Sequence, residues 1–182
     1  MTLMFPRTAR LAPCAARVAL VTAAILAGVT ANPVAAQSVM EKVARDEIAV
    51  VADTDPDMAA AMRKARATLT DFLNLASAPR PGTDDFAVKV AIREGEHAEY
   101  FWIAPFKNSD GRFSGEINNT PRSVHSVKMG QTITFAQSDI VDWLYIDKGM
   151  MKGNYTACAL LKSAPPSEAE EFKKHFGLNC DF

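Results

Sequence analysis

The chain has 182 residues, of which 48% are hydrophobic and 23% charged, which is enough for one folded domain with a sizeable core. Its formal net charge is −1, and it becomes −4 (17 Lys and Arg against 21 Asp and Glu) once residues 1–36 are removed. This acidic balance argues against a nucleic-acid partner, because recognition of nucleic acid normally depends on a basic patch.

Residues 1–36 have the three parts of a secretory signal peptide in the expected order. Residues 7–17 contain three arginines and no acid, an uncharged apolar run follows at residues 18–29, and Val34-Ala35-Ala36 places small residues at a cleavage site. The run is shorter than the roughly 20 residues of a membrane-spanning helix, so no permanent anchor is expected. We expect cleavage after Ala36 and a periplasmic or secreted protein; a buried apolar helix is the alternative.

The mature chain begins with a predicted strand and lead-in at residues 37–55, in which the β-branched residues 47–52 form the strand. A single α+β domain is expected over residues 56–182. Asp55 and Pro56 are suited to the N-cap and first position of a helix. Apolar residues then recur every three or four positions from Met58 to Ala76, which predicts one amphipathic helix.

The middle of the chain predicts an antiparallel meander. Residues 86–92 alternate in polarity, which predicts a half-buried strand. Residues 99–106 are rich in aromatic side chains and predict a second strand, which should end at Pro105 or lie at a sheet edge there. A hairpin turn at residues 108–111 leads into a third strand at residues 112–117. Further short strands are predicted at residues 124–127, 131–135 and 143–146. The expected fold is α+β: a curled antiparallel sheet with an N-terminal amphipathic helix and a C-terminal helix packed on it.

The C-terminal end predicts a helix that is tied back to the domain. Ser167 and Glu170 have the spacing of a capping box, and Gly177 suits the left-handed C-cap. An even pair of mature cysteines, Cys158 and Cys180, predicts a disulfide in an oxidising compartment. A redox or metal pair is the alternative, although the chain has no C-x-x-C spacing.

Catalytic motifs are not found in the sequence, and no metal or cofactor is expected. His97 and Glu99 lie two apart near Glu94 and Glu96, a pattern that suits a metal or acid–base site as well as a solvated acidic turn. His125 stands alone in a predicted strand.

A second polar and aromatic stretch is the preferred candidate for ligand binding. Carboxylates next to Trp and Tyr can form a ligand or peptide groove. Alternatively, Trp143 belongs to the core, and Asp139 and Asp142 cap a short helical turn. The candidate binding surface comprises Trp102, Asn118, Asn119, Asp139, Asp142, Trp143, Tyr145 and Asn154.

Several segments together resemble the YegJ-like family, the bacterial domain of unknown function 2314. They are residues 61–73 (AMRKARATLTDFL), 86–90, 100–102, 113–121 (FSGEINNTP), 130–135, 139–143 and 153–156. The resemblance covers nearly all of the chain from Pro56 onward. It implies a single-domain bacterial protein, often exported, without an established activity, and it supplies no catalytic residues.

The leading hypothesis is a non-enzymatic binding or interaction module of the cell envelope, with an envelope or extracellular protein or a small ligand as its partner. The alternative is a small envelope-directed hydrolase that uses Asp139, Asp142, His97 or His125 as acid and base. A purely structural envelope component is a third possibility.

Overall fold

The computed structural model describes residues 55–180, which belong to one compact unit of the chain, Ala36–Phe182. The predicted signal peptide and the strand at residues 47–52 lie outside the described residues. None of the helices between residues 55 and 180 is long and apolar enough to span a membrane.

Two helices open the described chain where one was predicted. Helix α1 (Pro56–Ala67) begins as expected, with Asp55 Oδ1 accepting the Met58 N–H at 2.8 Å. Helix α2 (Leu69–Ser77) follows after a break at Thr68, whose hydroxyl donates to the Lys64 carbonyl at 3.0 Å. A hydroxyl bonded to the preceding turn competes with the helical ladder, which explains the break. The predicted apolar stripe is buried from Met58 as far as Phe72, and its last members, Leu73 and Ala76, are half-buried.

The sheet has six antiparallel strands in the order β4-β3-β2-β1-β5-β6. The first four form the predicted meander, while β5 returns to the other side of β1. The strands are β1 (Thr83–Glu94), β2 (His97–Ser109), β3 (Arg112–Ile117), β4 (Thr132–Ala136), β5 (Ile140–Asp147) and β6 (Met150–Gly153). The α+β prediction with a curled antiparallel sheet is confirmed.

The main core lies between the two N-terminal helices and the sheet. Phe72 of α2 stacks on Trp143 of β5 with ring centroids 4.8 Å apart, and the Trp143 indole N–H donates to the Ala65 carbonyl of α1 at 3.0 Å. These contacts fix the helices on β5 and place Trp143 in the core.

Two strand predictions were wrong. Strand β2 does not end at Pro105 and is not an edge strand, because it continues to Ser109 and pairs with β1 on one side and β3 on the other. A register shift between Ile103 and Phe106 accommodates the proline, which has no N–H for the ladder. Residues 124–127 form no strand; they belong to a loop whose backbone is held by carboxylates, as described below.

The C-terminal part contains a helix that the sequence analysis missed, α3 (Tyr155–Leu161), followed by α4 (Pro166–Phe176). The capping box was wrong, because α4 begins at Pro166 and Ser167 lies inside it. Gly177 does take the left-handed C-cap, with φ of 59°. Cys158 and Cys180 form a disulfide that joins α3 to the segment after α4, with Cα atoms 5.5 Å apart.

Candidate functional site

Strand β6 connects to helix α3 through a tight left-handed turn. Gly153 has φ of +76° and Asn154 φ of +53°. A Cβ atom on Gly153 would lie 2.2 Å from the Trp143 carbonyl oxygen, so only glycine allows this approach. The turn directs the first residues of α3 at the middle of β5.

The side chain of Asp142 in β5 lies at the N-terminal end of α3. Its carboxylate is fully buried and accepts the N–H groups of Trp143 at 2.8 Å, Tyr155 at 3.3 Å and Thr156 at 2.8 Å. The Thr156 hydroxyl also donates to it, at 2.6 Å. Asp142 therefore caps α3 from a neighbouring strand, satisfying the N–H groups that a helix start leaves unpaired.

Lys89 and Trp102 extend this polar cluster across the sheet. The Lys89 Nζ donates to Thr156 Oγ1 at 2.6 Å and lies 4.6 Å from the Trp102 ring centroid. In register, Lys89 is opposite Trp102 on β2 and opposite Asp142 on β5. We call Asp142, Thr156, Lys89 and Trp102 the Asp142 network.

Burial governs the electrostatics of Asp142. Removal of the carboxylate from water raises the pKa of Asp142, while the charge of Lys89 and the bonds from Thr156 and Trp143 oppose the rise. The carboxylate is enclosed and bonded to the chain's own backbone, so its role in the described domain is to hold α3 on the sheet.

Trp102, Asn118 and Asn119 come together at an open groove next to this network. The Trp102 N–H donates to the Asn119 side-chain oxygen at 2.8 Å, and the Asn118 N–H donates to the Trp102 carbonyl at 2.9 Å. The buried Asn119 amide thus continues the pairing of β2 beyond the end of β3.

The groove forms where β1 and β2 separate. Their ladder ends at Val88 and Ile103, so within the described chain residues 83–87 of β1 do not pair with residues 104–109 of β2. A cavity of about 1130 Å³ lies here, lined by both strand segments, the C-terminal end of α2, Trp102, Asn118 and Asn119. We call this cavity the β1–β2 groove.

The other predicted surface residues are not part of the groove. Trp143 is core, and Tyr145 is half-buried, stacking on Phe86 with centroids 5.4 Å apart. Asp139 accepts the Ala136 N–H at 2.9 Å in a 3-10 turn, as the capping alternative predicted for it. Asn154 is buried beside α3, and its Oδ1 has no hydrogen-bond partner among residues 55–180.

The acidic residues near His97 have a structural use that the sequence analysis did not predict. Glu99 is 2% exposed and accepts the N–H groups of Arg122, Ser123 and Val124, each at 3.0–3.1 Å. Glu94 accepts the next two N–H groups, those of residues 125 and 126. Two carboxylates therefore hold five consecutive N–H groups of the loop, which we call the carboxylate clamp.

The clamp lowers the pKa of both of its carboxyl groups. Burial tends to raise the pKa of Glu99, but the N–H donors of Ser123, Val124 and Arg122 together outweigh it and lower that pKa. The Glu94 pKa is also lowered, chiefly by the His125 N–H. No group of three His, Cys, Asp or Glu side chains suited to a metal ion occurs between residues 55 and 180.

The fold and these sites define a class: a small α+β domain whose curled, open sheet uses internal carboxylates to bind its own backbone. The chain belongs to the family described as "Uncharacterized protein conserved in bacteria (DUF2314)", whose model matches residues 55–180. The resemblance inferred from the sequence is thereby confirmed.

Two curated proteins are similar to parts of the chain. "Uncharacterized protein YegJ" of Escherichia coli strain K12 is 34% identical over 116 residues, which cover 64% of this chain and 74% of that protein. A Neisseria meningitidis serogroup B protein described as "Putative ankyrin repeat protein" is 28% identical over 100 residues, covering 52% of this chain and 40% of that protein. No solved structure matches the chain significantly.

Proposed function

We propose that the protein is an exported, non-enzymatic binding module of the cell envelope, and that its β1–β2 groove binds an extended segment of a partner protein. The observation that carries this proposal is the end of the β1–β2 ladder at Val88 and Ile103, beyond which two strand segments face an open cavity. Separated strand edges offer main-chain N–H and C=O groups, and an added extended strand complements such groups.

The side chains around the groove suit a polypeptide. Phe86, Phe106 and Trp102 are half-buried and supply apolar contact area, while Asn118 and Lys107 are exposed at the same cavity. Aromatic side chains with amide and charged neighbours are typical of protein interfaces, where the aromatic groups provide most of the affinity.

The description of the Neisseria relative also favours an interaction role. Ankyrin repeats form extended surfaces that bind other proteins, and the Neisseria relative is described in those terms. We extend that role to this chain as part of the proposal.

The hydrolase alternative has less support from the geometry. Asp142 is enclosed under α3 and Asp139 is bonded within its own turn, so these two carboxylates already have structural partners. A general acid or base must reach the substrate, and Asp142 does not face solvent.

Selection from a display library of random peptides against the purified protein tests the binding site. Selected peptides should bind the wild type and lose at least tenfold in affinity for Ala104→Trp, which fills the groove between the separated strands. Ala67→Trp, at an exposed position at the end of α1, is the matched control and should bind normally. Equal affinity for both variants would rule out the groove as the binding site.

Export is tested separately. The chain expressed with its native N-terminus in a Gram-negative host should appear in the periplasmic or secreted fraction, with a mature N-terminus at Gln37 and an oxidised cysteine pair. A cytoplasmic protein that retains residues 1–36 would contradict the proposal.

A further inference from the structure

A second cavity, separate from the β1–β2 groove, points to a different ligand. We propose that it binds a small amphipathic anion, an organic acid with a carboxylate or phosphate head group and an apolar body. The cavity has a volume of about 680 Å³ and lies between α1, the end of β1 and the edge strand β4. We call it the arginine pocket after Arg63, Arg66 and Arg93, which line it.

The charge of the arginine pocket is opposite to that of the chain. Its lining carries three arginines and, among the described residues, a single carboxylate, Asp139. Removal of residues 1–36 leaves a net charge of −4 for the chain as a whole. A cationic cavity in an acidic protein concentrates anions at that point and repels cations.

Two of the arginines, Arg63 and Arg66, are placed next to each other at the pocket. Arg63 and Arg66 lie three residues apart on α1 and so are neighbours on one helix face, where like charges repel in the absence of an anion. The Arg66 Nε donates to the Ile140 carbonyl at 3.4 Å, which orients the guanidinium and leaves its two terminal NH2 groups outside that bond. Guanidinium groups bind carboxylate and phosphate oxygens through paired N–H donors.

The rest of the lining suits an apolar body. Met62, Val90, Ile92 and Ile133 are apolar, and Ser138 adds one hydroxyl beside the arginines. The volume lies in the range of typical small-molecule sites, which combine an apolar lining with a few orienting polar groups. The ligand class that complements all of these features is an anionic head group with a short apolar chain.

Titration with decanoate and decyl phosphate below their micellar concentrations, followed by calorimetry and by ¹⁵N-amide NMR, tests the proposal. At least one of the two should bind saturably, with shifts concentrated at Val90, Ile92, Ile133 and Thr134, and the tighter ligand identifies the head group. Affinity should fall as salt rises, and neutral 1-decanol should bind at least tenfold more weakly.

Variants separate the charge from the apolar lining. Arg63→Gln/Arg66→Gln should weaken binding at least tenfold, whereas Arg112→Gln, an exposed arginine of β3 outside the pocket, should change it less than twofold. If the double variant unfolds, the single Arg63→Gln at an exposed position replaces it, with a threefold or greater loss expected. Absence of saturable binding, equal binding of 1-decanol, unchanged affinity of the arginine variants, or shifts confined to the Trp102 and Asn119 region would overturn the proposal.

Discussion

The Asp142 network and the β1–β2 groove lie side by side and share Trp102, yet they differ in how their polar groups are satisfied. Around Asp142, three backbone N–H groups and one hydroxyl converge on a carboxylate that has no access to solvent. In the groove, two strand segments stop pairing with each other and face an open cavity. The first region is held together by bonds between its own members, whereas the two strand segments of the second pair with β5 and β3 but not with each other.

This difference distinguishes polar groups that stabilise the fold from polar groups that are available to bind a ligand. A buried carboxylate is stable only when donors from the chain satisfy it, and such a group has nothing left to offer a ligand. The carboxylate clamp follows the same rule, since Glu99 and Glu94 hold loop N–H groups. Polar residue types alone therefore identify a binding site poorly in this domain, and the site proposed here is inferred instead from the place where the pairing of β1 with β2 ends.

The largest expected effect is the loss of the Asp142 carboxylate. Asp142→Ala should lower the free energy of unfolding by about 3–5 kcal/mol, because it leaves buried N–H groups and the Thr156 hydroxyl without their acceptor and removes the negative charge near Lys89. Asp139→Ala, which removes a partly exposed turn carboxylate, is the control and should cost about 1 kcal/mol. Urea unfolding at pH 7 measures both. Equal losses would show that the network is not the structural centre inferred here.

Removal of the disulfide tests whether the stability of the α3–α4 region and peptide binding in the groove are independent of each other. Cys158→Ala/Cys180→Ala should cost about 3 kcal/mol, since the bridge closes a segment of 22 residues in the unfolded chain. Peptide affinity of the folded variant should be unchanged. A peptide affinity that fell with the disulfide would mean that the two regions act as one site.

Glu99→Gln should lower the free energy of unfolding by about 2 kcal/mol at pH 7. A carboxylate accepts the loop N–H groups with both oxygens, whereas the amide has one acceptor oxygen and an NH2 group that cannot accept. The pKa of Glu99 is lowered in the folded protein. The advantage of the wild type over Glu99→Gln should therefore be present above the ordinary value of 4.5 and be lost as pH falls through the lowered pKa. Unfolding free energies measured between pH 2.5 and 7 test this.

Asp142→Asn is the matched control for that pH series. The Asp142 pKa is raised, so the wild type should have its largest advantage over Asp142→Asn below the ordinary value of 3.8, and that advantage should decline as pH rises through the raised pKa. If the two series showed the same direction, burial and backbone donors would not separate the two carboxylates as described.

The smallest effect on stability is expected at Trp102. This side chain is half-buried and its ring lies 4.6 Å from the Lys89 ammonium, so Trp102→Leu should cost about 1 kcal/mol. Trp143→Leu, in the core, should cost about 3 kcal/mol. Peptide binding should show the reverse ranking, with the greater loss for Trp102→Leu. A greater binding loss for folded Trp143→Leu would place the contact surface elsewhere.

Local patterns predicted much of this fold. Asp55 caps α1, the alternating strands form the meander, Gly177 ends α4, and Cys158 pairs with Cys180, because each depends on neighbouring residues or on a single possible pairing. The 3-10 turn at Asp139 also matched one of the two alternatives considered for that residue. These features require no knowledge of distant contacts.

The sites were harder to predict because their partners are distant in sequence. Helix α3 is short, and its N-terminal cap is Asp142, thirteen or fourteen positions earlier. Glu99 holds N–H groups 23–25 positions away, and backbone groups leave no residue-type signal. Lys89, opposite both Trp102 and Asp142, was detectable only as a charged residue in a strand that alternates in polarity.

Amide hydrogen exchange with and without a selected peptide tests the central claim most directly. Strand addition predicts that binding slows exchange of backbone amides in residues 83–87 or 104–109, whereas amides held by Asp142 and Glu99 remain as protected as before. Peptide binding at saturation without new protection in either strand segment would contradict the assignment of the β1–β2 groove.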